Sequence, residues 1–562
     1  MRLIVQAGYL PGLPVLVRVE LRDDKGQPDR NVWNAQATLS EESDTVTLST
    51  NRVLLRNGLG TALVTPSGSG DFTLRAELGG LQAERLIQDR SSEPVTRVSG
   101  TLAGTETTWA GVILITNDTT VPTGHTLSIE SNTLVLVSGV ASGTIAPDLL
   151  VSGSIQCLGA EAHPITITCA SPGLRWGQIR HNNAQPSLYR YTTITRAGRA
   201  SGEGHTGQAP VIRPTNSRIV FEHCTISDHA ERPSGMPGKI MQASGSDLVF
   251  DDTVLARARM GPEIAGTSLL LTNSYILEMH GPDDADGIYI HDAGGRVANL
   301  VDSVIADGDD DGIDTLSSLV DVERCIIRDW LNPAEDAKGI SAFNRTVTVR
   351  RSLIVDCWVA ISAKWSSGSP ATVFIHESTL AGVSNTVAAN YKANAVGPFV
   401  DFRITNSIMV GPDPIKSDFG TTNFTIGFCL ADEPWDGDGN VVANPRFVDA
   451  ANHDYHLQVG SPCIDAGDPA SPLDADGSRI DIGCFTFQVP SPALSPPELL
   501  AGEGFQFMFS GYTNRNYAIE ISTNAQKWDI FTLITHTNEP RMIRDPAVST
   551  NGLRLYRARL AE

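Results

Sequence analysis

The sequence predicts an all-β protein whose central part is a parallel β-helix, and three observations support this fold class. Strand-like segments recur at similar spacing through the middle of the chain. Glycine and proline are abundant, at 51 and 32 residues, whereas only 19% of residues are charged, a balance typical of turn-rich β proteins. Both ends of the chain alternate apolar and polar residues with a period of two, which indicates half-buried strands.

Residues 1–98 are expected to form an immunoglobulin-like β-sandwich. Segments such as VLVRVELRDDKGQP and GTALVTPSGSGDFTLRAELGG show period-two apolarity bounded by turn residues, without a helical stretch. This pattern resembles bacterial immunoglobulin-like domains. The first residues read as a strand and lack the cleavage site of a signal peptide, so we expect an export signal to lie outside this sequence.

Residues 99–487 contain the internal repeat that predicts the β-helix. Each unit combines a strand, a small polar residue and a second short strand, and cannot bury a core without stacking on its neighbours. We expect the small polar residues to line an inner corner and to satisfy its backbone groups, a structural role. They lie 21 to 29 residues apart, at Cys224, Thr253, Ser274, Ser303, Cys325, Ser352, Ser378 and Ser407.

The two ends of this region resemble the opening and closing coils of secreted right-handed parallel β-helix proteins, the pectate-lyase-like superfamily. The opening coil is TWAGVILITNDTTVPTGHTLSI, and the closing region includes GSPCIDAGDPASPLDADGSRIDIGCF. The resemblance implies a right-handed β-helix in a secreted or cell-surface bacterial protein, and a long capped solenoid is most simply a monomer. Five aspartates of the closing region are interpreted as turn residues: Asp465, Asp468, Asp474, Asp476 and Asp481.

Residues 488–562 follow the proline-rich linker VPSPALSPPE and are expected to form a small β-sandwich. They resemble C-terminal modules of large secreted bacterial proteins, and no chemistry is assigned to them.

The eight cysteines show no CxxC pattern, which argues against a zinc ribbon. Cys463 with Cys484, and Cys157 with Cys169, are candidate pairs, and two disulfides would fit an exported protein. Three cysteines are interpreted as buried thiols of the coil ladder: Cys224, Cys325 and Cys357.

Charge excludes several classes of function. Lys and Arg number 42 and Asp and Glu number 64, which gives a net charge of −22. A nucleic-acid binder needs a basic surface, and so does a protein that binds anionic membranes. No apolar run approaches the roughly 18 residues of a transmembrane helix.

The densest group of charges falls on consecutive coils in the middle of the repeat. Residues at matching positions of stacked coils lie about one strand spacing above one another. Carboxylates so close raise one another's pKa unless a cation relieves the repulsion, and calcium prefers oxygen ligands from flexible carboxylates. Aligning the coils predicts a first column of Lys239, Glu263, Asp286, Asp311 and Lys338, and a second of Tyr289, Asp314, Ser341 and Ser362.

A second pattern in the same segment also indicates calcium. Asp307, Asp309, Asp311 and Gly312 spell D-x-D-x-D-G, the first half of a calcium loop. Position twelve of such a loop is Ser318 instead of glutamate, which excludes an EF-hand but leaves a dication site open.

The acidic residues resemble the four-aspartate calcium site of family 9 pectate lyases. Asp286, Asp310, Asp311 and Asp314 would hold the ion. The resemblance implies that calcium on a uronate carboxylate acidifies the C5 proton, that a lysine removes it, and that the C4 oxygen leaves by β-elimination. Lys338, one coil later, and Lys364, two coils later, are the candidate bases, whereas Ser341 occupies the matching column position.

The motifs DADGIY, DDGID and KGIS also follow the order of family 28 polygalacturonase motifs. Asp286, Asp310 and Asp311 would be the three carboxylates of an inverting hydrolase. This chain has Lys338 where that family has histidine, and it lacks the Arg-Ile-Lys motif, for which Lys364 is the available substitute.

Four further residues are candidate substrate ligands. His291 shares a strand face with Tyr289 and is interpreted as a substrate ligand or an acid, with a plain surface histidine as the alternative. Arg259 is suited to binding a uronate carboxylate. Lys239 and Glu263 either pair across coils or extend a binding groove.

Three functions follow from these residues. We expect a secreted calcium-dependent lyase that cleaves a uronate-containing polysaccharide by β-elimination. A glycoside hydrolase of polygalacturonase type and a non-catalytic carbohydrate-binding adhesin are the alternatives. Because the net charge would repel an acidic polysaccharide, bound cations and local lysines would have to carry its recognition.

Overall fold

The computed structural model is almost entirely β-structure. It describes residues 1–43, 45–141, 145–199, 209–229, 238–281, 284–365, 369–384, 390–393, 400–412, 422–487, 492–500, 504–511, 515–537, 540–546 and 553–561. Within these residues, no helix is long and apolar enough to cross a membrane.

The middle of the chain is a right-handed parallel β-helix with three stacks of strands, which confirms the predicted fold class. Each central coil contributes one strand to stack A, the next to stack B and the third to stack C. Stack A is a 13-stranded parallel sheet, and stacks B and C join into a 25-stranded sheet. Consecutive coils therefore place equivalent side chains directly above one another.

The strand bounds follow the three stacks. Stack A contains Glu106–Trp109, Thr126–Glu130, Ser154–Leu158, Ser187–Arg190, Arg218–Glu222, Asp247–Asp251, Ser268–Thr272, Val297–Val301, Leu319–Glu323, Arg345–Arg350, Ala371–His376, Val400–Thr405 and Thr422–Gly427. Stack B contains Leu134–Val137, Ile165–Cys169, Thr192–Thr195, Thr225–Ser227, Val254–Ala258, Tyr275–Met279, Val304–Gly308, Ile326–Trp330, Leu353–Cys357, Thr379–Ala381, Ile408–Met409, Leu430–Ala431 and Val441–Val442. Stack C contains Leu149–Val151, Ile179–Asn182, Pro210–Thr215, Lys239–Ser244, Met260–Ala265, Ile288–His291, Ile313–Leu316, Lys338–Phe343, Val359–Trp365 and Asn390–Ala393. Two long first strands, Val95–Thr101 and Val112–Val121, pair along both B and C.

The core of the β-helix consists of stacked apolar columns. In stack C, Ile288, Ile313, Ile340 and Ile361 follow one another in register, and each is 0% exposed. Burying such branched side chains contributes roughly 1.5–3 kcal/mol each, which is why isoleucine and valine dominate these positions.

The ladder of small polar residues is structural, as predicted. Ser274 Oγ accepts the Thr253 backbone N–H at 3.1 Å and donates to the Thr272 carbonyl at 2.7 Å. Ser352, Ser378 and Ser407 repeat this pattern. The residue before each position has a left-handed backbone, as in Asn273 with φ 50°, and this turns the chain from stack A to stack B.

The N-terminal sheet packs on the outer face of stack B. Trp33 and Leu59 share an apolar cluster with Val254 and Tyr275 of the β-helix. Residues 1–486 accordingly form one compact unit. In sheet order the strands are Arg2–Val5, Val15–Glu20, Leu59–Val64, Arg52–Arg56, Asn34–Glu42, Phe72–Leu78, Leu81–Asp89 and Gly8–Tyr9, and Thr47–Leu48 pairs separately with Pro66–Ser67. The immunoglobulin-like assignment stays a prediction, and the first β-helix strand already begins at Val95.

The closing region of the β-helix uses its aspartates as turn residues. The strands Phe447–Asp449 and Asp454–Leu457 pair antiparallel around the short 3-10 helix Ala450–Asn452. Beyond them, Asp481 Oδ1 accepts the Asp465 backbone N–H at 2.7 Å. These contacts agree with the structural interpretation of that aspartate-rich segment.

Residues 487–562 form a separate compact unit with two small antiparallel sheets. Phe507, Phe509, Tyr517 and Ile519 are the centre of its core. The first sheet contains Ala493–Leu494, Glu498–Leu500, Gly504–Ser510 and Arg541–Asp545, and the second contains Asn516–Ser522, Asp529–Thr535 and Leu555–Leu560.

The candidate disulfides do not form, because all eight cysteines are free thiols. Cys157 lies in stack A opposite Tyr189, whereas Cys169 lies in stack B opposite Val137, so the two belong to different columns. Cys463 and Cys484 are likewise unpaired with each other. The three cysteines interpreted as buried thiols are indeed buried: Cys224, Cys325 and Cys357.

Candidate functional site

The acidic residues meet on the outer face of stack C, where the turns from stack B enter consecutive coils. Asp286 is followed by Gly287, and Asp311 is followed by Gly312. Asp314 is the second residue of the strand Ile313–Leu316. The glycines are required by close packing: a Cβ on Gly312 would lie 2.6 Å from the Gly339 carbonyl oxygen and 2.9 Å from Trp330 Nε1. The repeated Asp-Gly pair thus fixes an acidic column beside a column without side chains.

Three carboxylates converge in this column. Oxygen atoms of Asp286, Asp311 and Asp314 all lie within 4.8 Å of one another. Among the described residues, these three form the one group of His, Cys, Asp or Glu side chains placed to share a metal ion. Asp286 and Asp311 are only 3% and 4% exposed, and Asp286 Oδ1 accepts the Asp311 backbone N–H at 3.2 Å.

The electrostatics of the cluster are unfavourable for free carboxylates. Burial, and then repulsion by Asp314 and Asp311, raises the pKa of Asp286 well above its usual value. Burial, and then repulsion chiefly by Asp311, raises the pKa of Asp310 to about 7 and that of Asp314 to about 6. The site therefore either holds protons near neutral pH or needs a positive charge.

The donor set fits a calcium ion. Calcium binds six to eight oxygens at about 2.3–2.6 Å, so two oxygens on opposite sides of one ion lie at most about 5 Å apart. The 4.8 Å limit within the cluster meets this condition. Asp310, adjacent in sequence and electrostatically linked to Asp311 and Asp314, is the fourth candidate ligand.

The first candidate base, Lys338, is buried beneath the acids. It is 2% exposed, its Nζ donates to Asp311 Oδ1 at 3.1 Å, and it also donates to the Asp336 carbonyl. Burial alone would lower the pKa of Lys338, but Asp311 and Asp336 raise it. This contact pattern suits a residue that holds Asp311 in place.

The second candidate base, Lys364, is half-buried on the strand Val359–Trp365. It pairs in register with Phe343, two positions beyond the column that contains Asp314, Ser341 and Ser362. Its positive charge lowers the pKa of Asp314. Lys364 is therefore the more accessible of the two lysines that act electrostatically on the cluster.

One predicted column is wrong in its register. Glu263 pairs with Tyr289, not with Asp286, and the residue in the first column is Met260, which pairs with Lys239. The reason is the turn before this coil: Arg259 alone separates stack B from stack C, whereas the two following coils, which contain the aspartates, have longer turns. The second predicted column is correct and continues through Tyr289, Asp314, Ser341 and Ser362.

The candidate substrate ligands form a second polar group next to the acids. Lys239 and Glu263, 0% and 3% exposed, make a buried ion pair. His291 Nε2 lies 3.4 Å from Glu263 Oε1, and His291 Nδ1 lies 3.0 Å from Asp292 Oδ2. The His291 ring stacks on Tyr289 with centroids 4.7 Å apart. Tyr289 in turn pairs with Asp314, so the two groups are continuous.

Arg259 packs against Gly281, five residues before Asp286. Its backbone N–H donates to the Gly238 carbonyl at 3.0 Å, and a Cβ on Gly281 would lie 2.5 Å from its Cγ. The neighbouring Arg257 instead makes two 2.9 Å contacts with Asp228 and also binds Thr61 of the N-terminal sheet, which removes it from the site.

The first two aspartates of the D-x-D-x-D-G run pair with side chains outside the acidic cluster. His280 Nε2 lies 3.3 Å from Asp307 Oδ1, and His280 Nδ1 lies 2.9 Å from Asp309 Oδ1. Arg56 of the N-terminal sheet also pairs with Asp307. Sequence reasoning missed His280, and the signal available was its position one coil before these aspartates.

No protein-family model and no curated protein matches the chain. The comparison with solved structures does find similar chains. The pectate lyase Pel9A is 14% identical, with a TM-score of 0.32, over 64% of this chain and 89% of that one. The periplasmic alginate epimerase AlgG is 10% identical, with a TM-score of 0.33, over 65% and 85%. The catalytic domain of a GH87 alpha-1,3-glucanase is 10% identical, with a TM-score of 0.32, over 76% and 91%.

Proposed function

We propose that the protein is a calcium-dependent polysaccharide lyase acting on a uronate-containing polymer. The observation that carries the proposal is the convergence of Asp286, Asp311 and Asp314 within 4.8 Å on one outer face of the β-helix. Burial and then mutual repulsion raise the pKa values of Asp286 and Asp314, and a bound hard cation would relieve both effects.

The four aspartates would hold calcium through Asp286, Asp310, Asp311 and Asp314. Bound there, calcium would neutralise a substrate carboxylate and make the adjacent C5 proton more acidic. Lys338 orients Asp311 from below through its 3.1 Å contact.

Lys364 is our choice for the base that removes the C5 proton. A base needs access to substrate. Lys338 is nearly inaccessible and donates to Asp311 and to the Asp336 carbonyl. Lys364 is half-buried on the next coil. Its positive charge lowers the pKa of Asp314, so it acts electrostatically on the cluster.

The hydrolase alternative is supported by one observation and opposed by another. Asp310, with a pKa of about 7, would be protonated often enough near neutrality to act as a general acid. However, Asp286, Asp311 and Asp314 converge within 4.8 Å, closer than the roughly 6.5–9.5 Å between the acid and base of inverting glycosidases. The spacing therefore favours a shared ion over an acid and a water-activating base.

Export and an acidic polymer as partner remain predictions. The net charge of −22 requires that a polyanion be recognised locally, and the proposed cation site with Lys364 would provide such a place. Since the eight cysteines are free thiols, disulfides do not add support for an extracellular location. The non-catalytic adhesin is the outcome expected if no product forms.

Absorbance near the unsaturated-uronate band tests the proposal. Purified protein is mixed with pectate, alginate or glycosaminoglycans, with calcium or EDTA. We expect a calcium-dependent rise on one polymer that Asp311→Ala and Lys364→Ala abolish. Asp321→Asn, on an exposed position of stack A, is the matched control and should retain full activity. New reducing ends without a double bond would establish the hydrolase instead.

A further inference from the structure

Two arginines continue the column of Asp314 towards the first coils of the β-helix. Arg180 lies on the strand Ile179–Asn182 and Arg213 on the strand Pro210–Thr215, and the two residues pair in register. The pairing of successive strands carries this column from Arg213 to Asp314 without a break. In chain order the column contains Arg180, Arg213, Gln242, Glu263, Tyr289 and Asp314.

Both arginines are on the outer side of stack C. The neighbours of Arg180 in its strand, Ile179 and His181, are each 0% exposed, whereas Arg180 itself is partly exposed. Since successive side chains of a strand point to opposite faces, Arg180 points away from the core. Arg213 shows the same alternation on its own strand. The outer face therefore has two positive charges on adjacent coils.

The two guanidinium groups repel each other. Burial, and then repulsion by Arg180, lowers the pKa of Arg213. The carboxylate of Asp148 acts on both arginines, but Gln178 donates to both of its oxygens, at 3.0 and 2.9 Å. Asp118, which is exposed, accepts the Asp148 backbone N–H at 2.9 Å. An anion bound by both arginines would relieve their repulsion, and carboxylates pair well with guanidinium groups.

The arginine pair lies well away from the acidic cluster. Arg213 is four coils before Asp314, which is roughly 19 Å at one strand spacing per coil. A pyranose ring with its linking oxygen is similar in length to this spacing, so a chain of roughly five sugars would cover the distance. Glu263, between the two sites, is 3% exposed and paired with Lys239, which weakens its repulsion of a polyanion.

We infer that Arg180 and Arg213 form a distal subsite that binds a carboxylate of the acidic polymer while another carboxylate of the same polymer lies at the proposed cation site. This inference rests on the proposed lyase function and extends it to the length of the substrate. The polymer lies along the β-helix axis, and two separate positive sites recognise it although the protein has a net charge of −22. The preferred substrate is a continuous uronate stretch of at least about five sugars.

Kinetics on substrates of two lengths test the subsite. In the full chain, the double variant Arg180→Gln with Arg213→Gln should raise KM for the polymer that the wild-type protein cleaves by about 10–100-fold, the effect of losing a hydrogen bond to a charged group. The value of kcat should stay unchanged, because the contact is remote from the reacting atoms. A uronate trisaccharide is too short to reach the arginines from the cation site, so its KM should not change.

The matched control removes the same two charges from another face. Arg190 and Arg218 are exposed arginines of stack A. Arg190→Gln with Arg218→Gln should leave KM and kcat unchanged on both substrates.

Electrophoresis in gels that contain pectate or alginate tests binding without catalysis. EDTA removes calcium, so the arginine pair should account for much of the remaining retardation relative to a polymer-free gel. The double variant at Arg180 and Arg213 should lose this retardation, whereas the control variant at Arg190 and Arg218 should keep it. Retardation by dextran sulfate alone would identify the pair as a sulfate site and overturn the inference.

The outcomes separate the subsite from the lyase function. If the wild-type protein cleaves the polymer and the double variant keeps its KM, the distal subsite is wrong although the lyase function holds. An equal rise in KM for the trisaccharide also overturns it, because the arginines would then act at the cleavage site. If the wild-type protein cleaves no polymer but the arginines retard it in the gel, the lyase function fails and the anion subsite stands. Neither cleavage nor retardation rejects both. Should the double variant not fold, the partly exposed Arg180→Gln decides.

Discussion

Lys338 Nζ lies 3.1 Å from Asp311 Oδ1 beneath the acidic cluster, and both side chains are nearly inaccessible to solvent. A buried ion pair of this kind holds its geometry because neither charge has water as an alternative partner. The lysine that the sequence places nearest to the acids therefore supports one of them from inside the fold, and the accessible lysine on the following coil is left to face substrate.

This relationship predicts that the two lysines respond differently to substitution. Lys338→Met would leave Asp311 buried without its cation and should destabilise the protein by about 3 kcal/mol or more. Lys364→Met alters a half-buried position and should change stability by less than about 0.5 kcal/mol, while lowering turnover at least about 10²-fold. Denaturant unfolding and initial rates check both. If Lys338→Met is stable but inactive and Lys364→Met is fully active, Lys338 is the base and Lys364 is not.

The raised pKa values predict how stability depends on pH and calcium. Asp310 and Asp314 have folded-state pKa values of about 7 and 6, above the unfolded value of about 3.9. Between these values the folded state binds more protons than the unfolded state, so without calcium their contribution to stability falls as pH rises from about 4 to 7. Melting temperatures in EDTA should show this decline.

Calcium should offset that loss. Its stabilising effect should increase with pH over the same interval, because each ligand that is already ionised has no proton to release. At 100 times the dissociation constant, binding contributes about 2.7 kcal/mol. Asp310→Asn should weaken both the decline in EDTA and the calcium response. A calcium effect that is equal at pH 5 and pH 8 would contradict a site made of these aspartates.

The glycine column predicts a steric limit next to the site. In Gly312→Ala, the new Cβ would meet the Gly339 carbonyl oxygen at 2.6 Å and Trp330 Nε1 at 2.9 Å. Overpacking of this kind costs typically about 1–3 kcal/mol, and here backbone is one of the obstacles. Gly427→Ala, where the nearest atom is 3.5 Å away, is the control and should be near neutral. Thermal unfolding of the two variants measures the difference.

The corner ladder predicts a graded effect of substitution at Ser274. Ser274→Ala leaves the Thr253 N–H without its acceptor and should destabilise by about 1–3 kcal/mol. Ser274→Cys should cost less, because cysteine occupies the equivalent positions Cys224 and Cys325, where the thiol donates to a carbonyl two residues earlier. If Ser274→Ala is as stable as the wild type, the ladder does not stabilise the corner as described here.

What the sequence determined by itself was the repeat and the identity of the acids. The spacing of small polar residues from Cys224 to Ser407 requires stacked coils, because a unit of that size has no core of its own. Asp286 and Asp311 each precede a Gly-Ile pair in successive coils, so stacking brings them together with Asp314. These consequences depend on periodicity, which is written in the chain.

Only the tertiary structure decided which neighbours each charge has. The length of each turn between stacks sets the register, so Glu263 moved to the column of Tyr289 and next to His291. Asp307 pairs with Arg56, which is far from it in sequence, and not with the residues of the acidic cluster. Packing left Lys338 buried and Lys364 half-buried, which gives the two lysines different roles. Turn length, long-range pairing and burial are properties of the packed coils, and no periodicity along the chain encodes them.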